Sequence, residues 1–305
     1  MFRKFLKWTL LLISVLIILI ALTAWWLISD TNKAMEKTYQ VEPAMIQIPT
    51  DSASLARGAK WTRVLCVSCH GDQLQGKTMF EDPDIGRIDA SNLTSGIGGI
   101  GREYTDIDWI RAIKHGVKKT GHGAFVMPSK DFSYMGDEDL GCLIGYLKSL
   151  PPVDHTTNPP DLTAMAKVLA AMGAFGELFA AEVIDHNQGS AYVPEPGPTV
   201  EYGTYLVNVY GCRSCHGMTL NGGKDPNPNA PFGPNITPGG NPGHWSEQDF
   251  IHTMRTGITP EGKKLNAEFM PWKGLSAMDE DELLAVYYHL RALPALETPE
   301  EFRAD

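Results

Sequence analysis

The string Cys66-Val67-Ser68-Cys69-His70 returns 146 positions later as Cys212-Arg213-Ser214-Cys215-His216. Positions i, i+3 and i+4 of a helical turn share a face, so each string sets two thiols and an imidazole side by side. Thiols so placed can add to the two vinyl groups of a haem while the imidazole reaches its iron, and C-x-x-C-H is a specific sign of c-type haem attachment. A zinc site would need four ligands from closely spaced pairs, yet the second pair begins 143 residues after Cys69, inside its own repeat. A redox dithiol expects a βαβ setting, and no such pattern surrounds either string. The expected cofactors are therefore two covalently bound haems c, one held by Cys66 and Cys69 with His70 on the iron, the other by Cys212 and Cys215 with His216 on the iron.

Matching extends outward from both motifs. A helical pattern leads into each, over 53–65 and 201–210, and a Gly-rich loop follows, at 71–76 and 217–222. Asn92-Leu93-Thr94 and Asn235-Ile236-Thr237 mark a turn. A middle helix then starts at Thr105 or Ser246 as N-cap with Asp108 or Asp249 three residues on, a capping-box-like start, and stops at Gly116 or Gly257. A last amphipathic helix, 137–150 or 279–293, is ended by Pro151 or Pro294. No strand-like alternation of useful length intervenes, so each half is expected to be an all-α domain with long loops. The domains are placed at 51–155 and 198–297, within the size usual for one. With 30 glycines and 21 prolines in 305 residues, little regular structure remains to build a core, and a large apolar cofactor in each half would supply one.

The sixth iron ligand has to come from across the pocket. Met127 and Met270 fall 57 and 54 residues after their histidines, each followed by proline. That proline disfavours helical geometry at the methionine and places its thioether on an extended loop able to fold over the haem. Met135 and Met278 also correspond, but beside the start of the last helix they read as core. His115, His122, His244 and His252 lack consistent partners between the halves and read as surface residues. Cys142, the fifth cysteine, sits among leucines and isoleucine on the last helix and reads as buried filler.

Residues 9–29 carry no charge, enough helix to cross a hydrocarbon layer of about 30 Å. Arg3, Lys4 and Lys7 before them put the N-terminus in the cytoplasm, and Trp25 with Trp26 suits an interfacial belt. A cleaved signal peptide is the competing reading. Its apolar core would be shorter and would end in a small-x-small site, so a retained single anchor is favoured. Residues 30–50 read as a polar tether lifting the haem domains off the bilayer. Residues 156–197 read as a linker whose amphipathic helix, from Leu162 to Phe179 in three-to-four spacing, packs between the domains, with resting on the membrane or a partner as the alternative. The last residues, 298–305, form a tail. The net charge of −10 becomes −13 once the three cations of the leader are set aside. Such a surface repels nucleic acid and suits basic partners or plain solubility.

With both C-x-x-C-H motifs, the Asn-x-Thr turns, Trp109 and Phe250 on the middle helices, Met127-Pro128, Met270-Pro271, the closing Tyr146-Leu147-Lys148-Ser149-Leu150-Pro151-Pro152 and the segment from Ala181 to His186, the chain resembles the membrane-anchored dihaem cytochromes c of bacteria. These are two class I-type cytochrome c domains in tandem. The resemblance implies His/Met-ligated low-spin haems that move single electrons in the periplasm, between redox protein partners or within a membrane respiratory complex, the protein being held to the inner membrane by one helix. Filled axial positions leave no site for substrate, so an electron carrier rather than an enzyme is expected. The rivals are a fixed cytochrome subunit of a larger dehydrogenase or oxidase complex, and a dihaem enzyme such as a peroxidase or thiosulfate dehydrogenase.

Overall fold

The computed structural model describes residues 2–189, 192–225 and 230–303. The ends of the expected anchor and tail, Met1 and residues 304–305, lie outside them, as do 190–191 of the linker and 226–229 of the second half. The chain begins with α1 (Phe2–Glu36), then α2 (Ser52–Leu65) and α3 (Val67–His70), strands β1 (Lys77–Asp82) and β2 (Gly86–Ala90), and helices α4 (Asp106–His115), α5 (Ser129–Phe132) and α6 (Asp137–Ser149). Strand β3 (Asp161–Leu162) and helix α7 (Ala164–Ala171) lead to the second half, built from α8 (Val200–Val209), α9 (Cys212–His216), α10 (Glu247–Thr256), α11 (Trp272–Leu275) and α12 (Glu280–Ala292).

The two halves follow one plan. Thr105 and Ser246 cap α4 and α10 with complete capping boxes to Asp108 and Asp249, and Gly116 and Gly257 close them in the left-handed conformation that favours glycine. The helix leading into each motif crosses the last helix of its half, α2 on α6 and α8 on α12. Glycine makes the crossings possible. A Cβ on Gly58 would lie 2.0 Å from the Cys142 carbonyl oxygen, and one on Gly203 would lie 1.9 Å from that of Ala285. Cys142, Met135 and Met278 are buried, as the apolar spacing indicated.

Three expectations about the fold need correction. The first half is not purely helical, because β1, β2 and β3 form a small antiparallel sheet in that order. The strands carry mixed polar faces such as Lys77-Thr78-Met79-Phe80-Glu81-Asp82, so the hydrophobic pattern was too weak to mark them. Residues 30–50 are not a free tether. Helix α1 runs on to Glu36, Tyr39 N–H donates to the Gly121 carbonyl at 2.8 Å, and Arg111 Nε donates to that of Val41 at 2.8 Å. The segment ends wedged against α6, whose Gly141 and Gly145 leave room for the carbonyls of Gln47 and Pro49. The linker helix is shorter than its apolar spacing implied, and α7 packs against α1 rather than between the halves. The Thr31 hydroxyl fixes that contact by donating to the Lys167 carbonyl at 2.7 Å.

The halves meet through α2 and α8. Asp139 and Glu282 are the third residues of α6 and α12, and both are buried. Asp139 accepts from Arg57 Nε at 2.5 Å and Trp61 Nε1 at 2.7 Å in its own half, and from the Tyr205 hydroxyl of the other half at 2.7 Å. Glu282 pairs with Lys60 of the first half at 2.7 Å. Lys60 and Tyr205 each stand two residues after the packing glycine of their helix, so the bonds across the junction are reciprocal. Trp61 fills the space between them, its ring centroid 6.2 Å from that of Tyr205 and 5.3 Å from that of Tyr210.

Candidate functional site

Cys66, Cys69 and His70 come to one side of the turn formed by α3 and, together with Met127, line one cavity whose other walls are mostly apolar, including Leu93, Ile113 and Leu147, with Asp89 and Lys118 among the polar exceptions. The imidazole is held from behind. His70 Nδ1 donates to the Ser91 carbonyl at 2.7 Å, which commits that nitrogen and leaves Nε2 available to a metal. Burial lowers the His70 pKa, partly offset by that carbonyl, so the ring stays neutral, as a metal ligand must be. Burial pushes the Cys66 thiol up to about 12.

Backbone geometry sets the histidine's partner in place. Leu74 adopts a left-handed φ of 58°, and the Gly76 N–H returns to the His70 carbonyl at 2.7 Å. Asn92, next to Ser91, accepts from Thr94 N–H and Oγ1 at 2.9 and 2.8 Å, and its amide donates to the carbonyls of Val153 and His155 at 2.8 and 3.0 Å. The Asn-x-Thr turn therefore ties the histidine's carbonyl partner to the chain that leaves α6.

The second half repeats this point by point. His216 Nδ1 donates to the Pro234 carbonyl at 2.8 Å, and burial again lowers its pKa. Leu220 takes φ 60°, the Gly222 N–H returns to the His216 carbonyl at 3.0 Å, and Asn235 binds Thr237 and the Leu296 carbonyl. Cys212 and Cys215 are both pushed up to about 12, chiefly by burial; Cys215 also donates to Asp225 at 3.0 Å. Met270 and Cys212 pack against the same apolar core.

The residues present fit a haem. In the first half the cavity is apolar around the thiols and the imidazole, and Trp109 Nε1, on its wall, is a buried donor without a hydrogen-bond partner among the described residues. A buried donor left unpaired is costly, and a haem carboxylate is an acceptor of the required kind.

Three features were not read from the sequence. Asp131 of α5, four residues after Met127, accepts from Ser214 Oγ at 3.0 and 3.1 Å, inside the second C-x-x-C-H motif. It lies so close to Gly211 that a Cβ there would be 2.4 Å from its carboxylate. In return α11, which follows Met270, touches α2, where a Cβ on Gly274 would lie 3.2 Å from the Val64 carbonyl. Each Met-Pro loop thus leads into a short helix lying against the motif-bearing segment of the other half. Secondly, the Met127 loop is fastened to the linker: Val126, at φ 58°, donates its N–H to the Leu178 carbonyl at 2.8 Å, and Phe125 stacks edge-on with Phe179. Thirdly, His115 is a correction. Expected at the surface, it is buried, with its Nδ1 3.2 Å from Nδ1 of His186. Its helical spacing places it on the side of α4 that carries Asp108 and Arg111 rather than that of Trp109 and Ile113, so no local pattern marked it as buried. His244 and His252 are exposed and His122 is partly covered.

Residues 55–151 match the cytochrome c family, so the first half carries a cytochrome c domain, a fold that holds covalently bound haem c. Among curated proteins, the chain is 28% identical over 282 residues to the cytochrome c subunit of a quinone alcohol dehydrogenase from Gluconacetobacter polyoxogenes, covering 82% of this chain and 58% of that protein. It is 28% identical over 300 residues to the fructose dehydrogenase cytochrome subunit of Gluconobacter japonicus, covering 90% and 59%. It is also 25% identical over 260 residues to a dihaem cytochrome c-type protein of Cereibacter sphaeroides, covering 76% and 83%. The chain therefore spans under two thirds of the length of the dehydrogenase subunits.

Proposed function

We propose that this chain is a dihaem c-type cytochrome, two tandem cytochrome c domains held to a membrane by α1, and that it passes single electrons as the cytochrome subunit of a dehydrogenase. One haem takes Cys66 and Cys69 as thioethers with His70 and Met127 on its iron; the other takes Cys212 and Cys215 with His216 and Met270. The observation that carries this reading is the histidine geometry. In both halves Nδ1 is spent on a backbone carbonyl just before the Asn-x-Thr turn, and in the first half the ring shares its cavity with both thiols and Met127.

When bound, the haem supplies a one-electron couple whose potential the thioether ligand raises. The protein's part is to orient, to exclude water and to tune. Apolar walls exclude water, the carbonyl partners fix each imidazole, and the α5 and α11 contacts hold each methionine loop against the opposite half. Helix α1 and its exposed apolar residues support the anchor, and the basic leader supports a cytoplasmic N-terminus with the haem domains in the periplasm.

The test is the spectrum of purified protein. Two low-spin c-type haems are expected, with the sulfur-to-iron band lost in two steps by Met127→Ala and Met270→Ala. A high-spin haem at rest, or rapid peroxide turnover, overturns the carrier reading. The names of the relatives favour a subunit over a free-standing shuttle, so a catalytic dehydrogenase subunit should co-purify in mild detergent; a lone polypeptide would exclude the subunit role.

A further inference from the structure

We propose that helix α7 and the turn after it, residues 164–176, are seated in the headgroup layer of the same bilayer that α1 crosses, and that this second attachment sets the orientation of the first half on the membrane. The inference rests on reading α1 as the membrane anchor.

Position comes first. Helix α7 is the element that packs on α1, and Thr31 binds its Lys167 carbonyl. Thr31 is two residues beyond the uncharged stretch that ends at Ser29, a rise of about 3 Å along a helix. Within the last turns of that stretch Ala24, Leu27 and Ile28 are partly covered, on the same face as buried Thr31, while Trp25 and Trp26 remain exposed. Helix α7 therefore stands at the depth where the apolar part of α1 ends, and a bilayer around α1 has its boundary there.

Chemistry agrees with position. Residues 164–176 contain one charge, Lys167, and the face turned away from the protein presents Met165 and Met172, 61% and 68% exposed. The next charge, Glu177, turns back toward the first half and pairs with Lys130 at 3.6 Å. Apolar side chains at an interface are stabilised by burial of about 5–10 Å into the headgroup and acyl boundary. A lipid surface is the occupant that continuity with α1 selects. The attachment reaches the haem site directly, because the chain leaving this segment supplies Leu178 and Phe179, which hold Val126 and Phe125 beside Met127.

The experiment places a nitroxide at Met165→Cys, Met172→Cys, Leu16→Cys and Met218→Cys in the full haem-loaded chain, reconstituted without other proteins into phosphatidylcholine–phosphatidylglycerol vesicles. Relaxation by oxygen and by a water-soluble nickel chelate is then compared. Labels at 165 and 172 are expected to show an oxygen-to-nickel ratio several-fold above that at 218, which lies on the second half. Ratios at 165 and 172 equal to that at 218, with 16 still in lipid, overturn the proposal: the face then stands in water and is open to a protein partner instead. An aqueous reading at 16 as well overturns the anchor reading itself.

Discussion

The Tyr205 hydroxyl donates to Oδ2 of Asp139 at 2.7 Å across the junction between the two halves. Asp139 has no solvent exposure, so its charge is carried by Arg57, Trp61 and Tyr205 alone among the described residues. Removing one donor from a buried carboxylate costs about 1–3 kcal/mol. Tyr205→Phe is expected to lower the denaturation midpoint by an amount in that range with an unchanged haem spectrum, measured by equilibrium unfolding. Lys60→Met strips buried Glu282 of its cation and is expected to cost at least as much.

Gly58→Ala and Gly203→Ala test the helix crossings. The added methyl meets a backbone carbonyl that no side-chain rotation can move. Overpacking at such a point costs about 1–3 kcal/mol or more. Both variants are expected to give a reduced yield of haem-loaded protein, and the survivors a lower melting temperature.

Asn92→Ala orphans the carbonyl of His155 and the N–H of Thr94 and takes from the Val153 carbonyl one of its two donors, leaving it the Thr94 hydroxyl. A loss of about 3 kcal/mol or more is expected. Because Ser91 is the carbonyl partner of His70, the midpoint potential of the first site should move while that of the second stays. Asn235→Ala should reverse the assignment, and potentiometric titration of both variants checks it.

His115 gives a pH signature. Burial, with the charges of His186, Lys114 and Arg111, lowers its pKa to about 4. The unfolded chain takes up that proton near the ordinary value of about 6.5. Between the two values the unfolded state binds more protons, so stability from this group is full above about 6.5 and is lost as pH falls toward about 4. His115→Gln is expected to flatten this part of the melting-temperature profile relative to the parent, measured from pH 4 to 7.5.

What was legible in the sequence was whatever depends on local spacing. Thr105 with Asp108 and Ser246 with Asp249 announce their helices because a cap needs only its third neighbour, and the C-x-x-C-H strings announce their face because a helical turn is a fixed geometry. The Asn-x-Thr turns were visible as repeats, yet their role was not, because the carbonyls of Val153 and Leu296 lie far along the chain. The same holds for Asp131 with Ser214 and for His115 with His186. The hairpin of β1 and β2 escaped notice because its pairing leaves both faces partly wet, and the reach of residues 37–50 along the first half depends on backbone carbonyls, which have no sequence signature.

Lys60 and Tyr205 occupy equivalent positions, Asp139 and Glu282 do too, and their bonds cross. The chain thus meets itself with the exchange symmetry of an isologous dimer, but with both copies on one thread. Two separate copies would part on dilution, whereas here the second copy stays tethered to the first at an effective concentration set by the connecting chain. The spacing between the two C-x-x-C-H motifs is therefore a property of a single molecule, the same at one copy per cell as at a thousand.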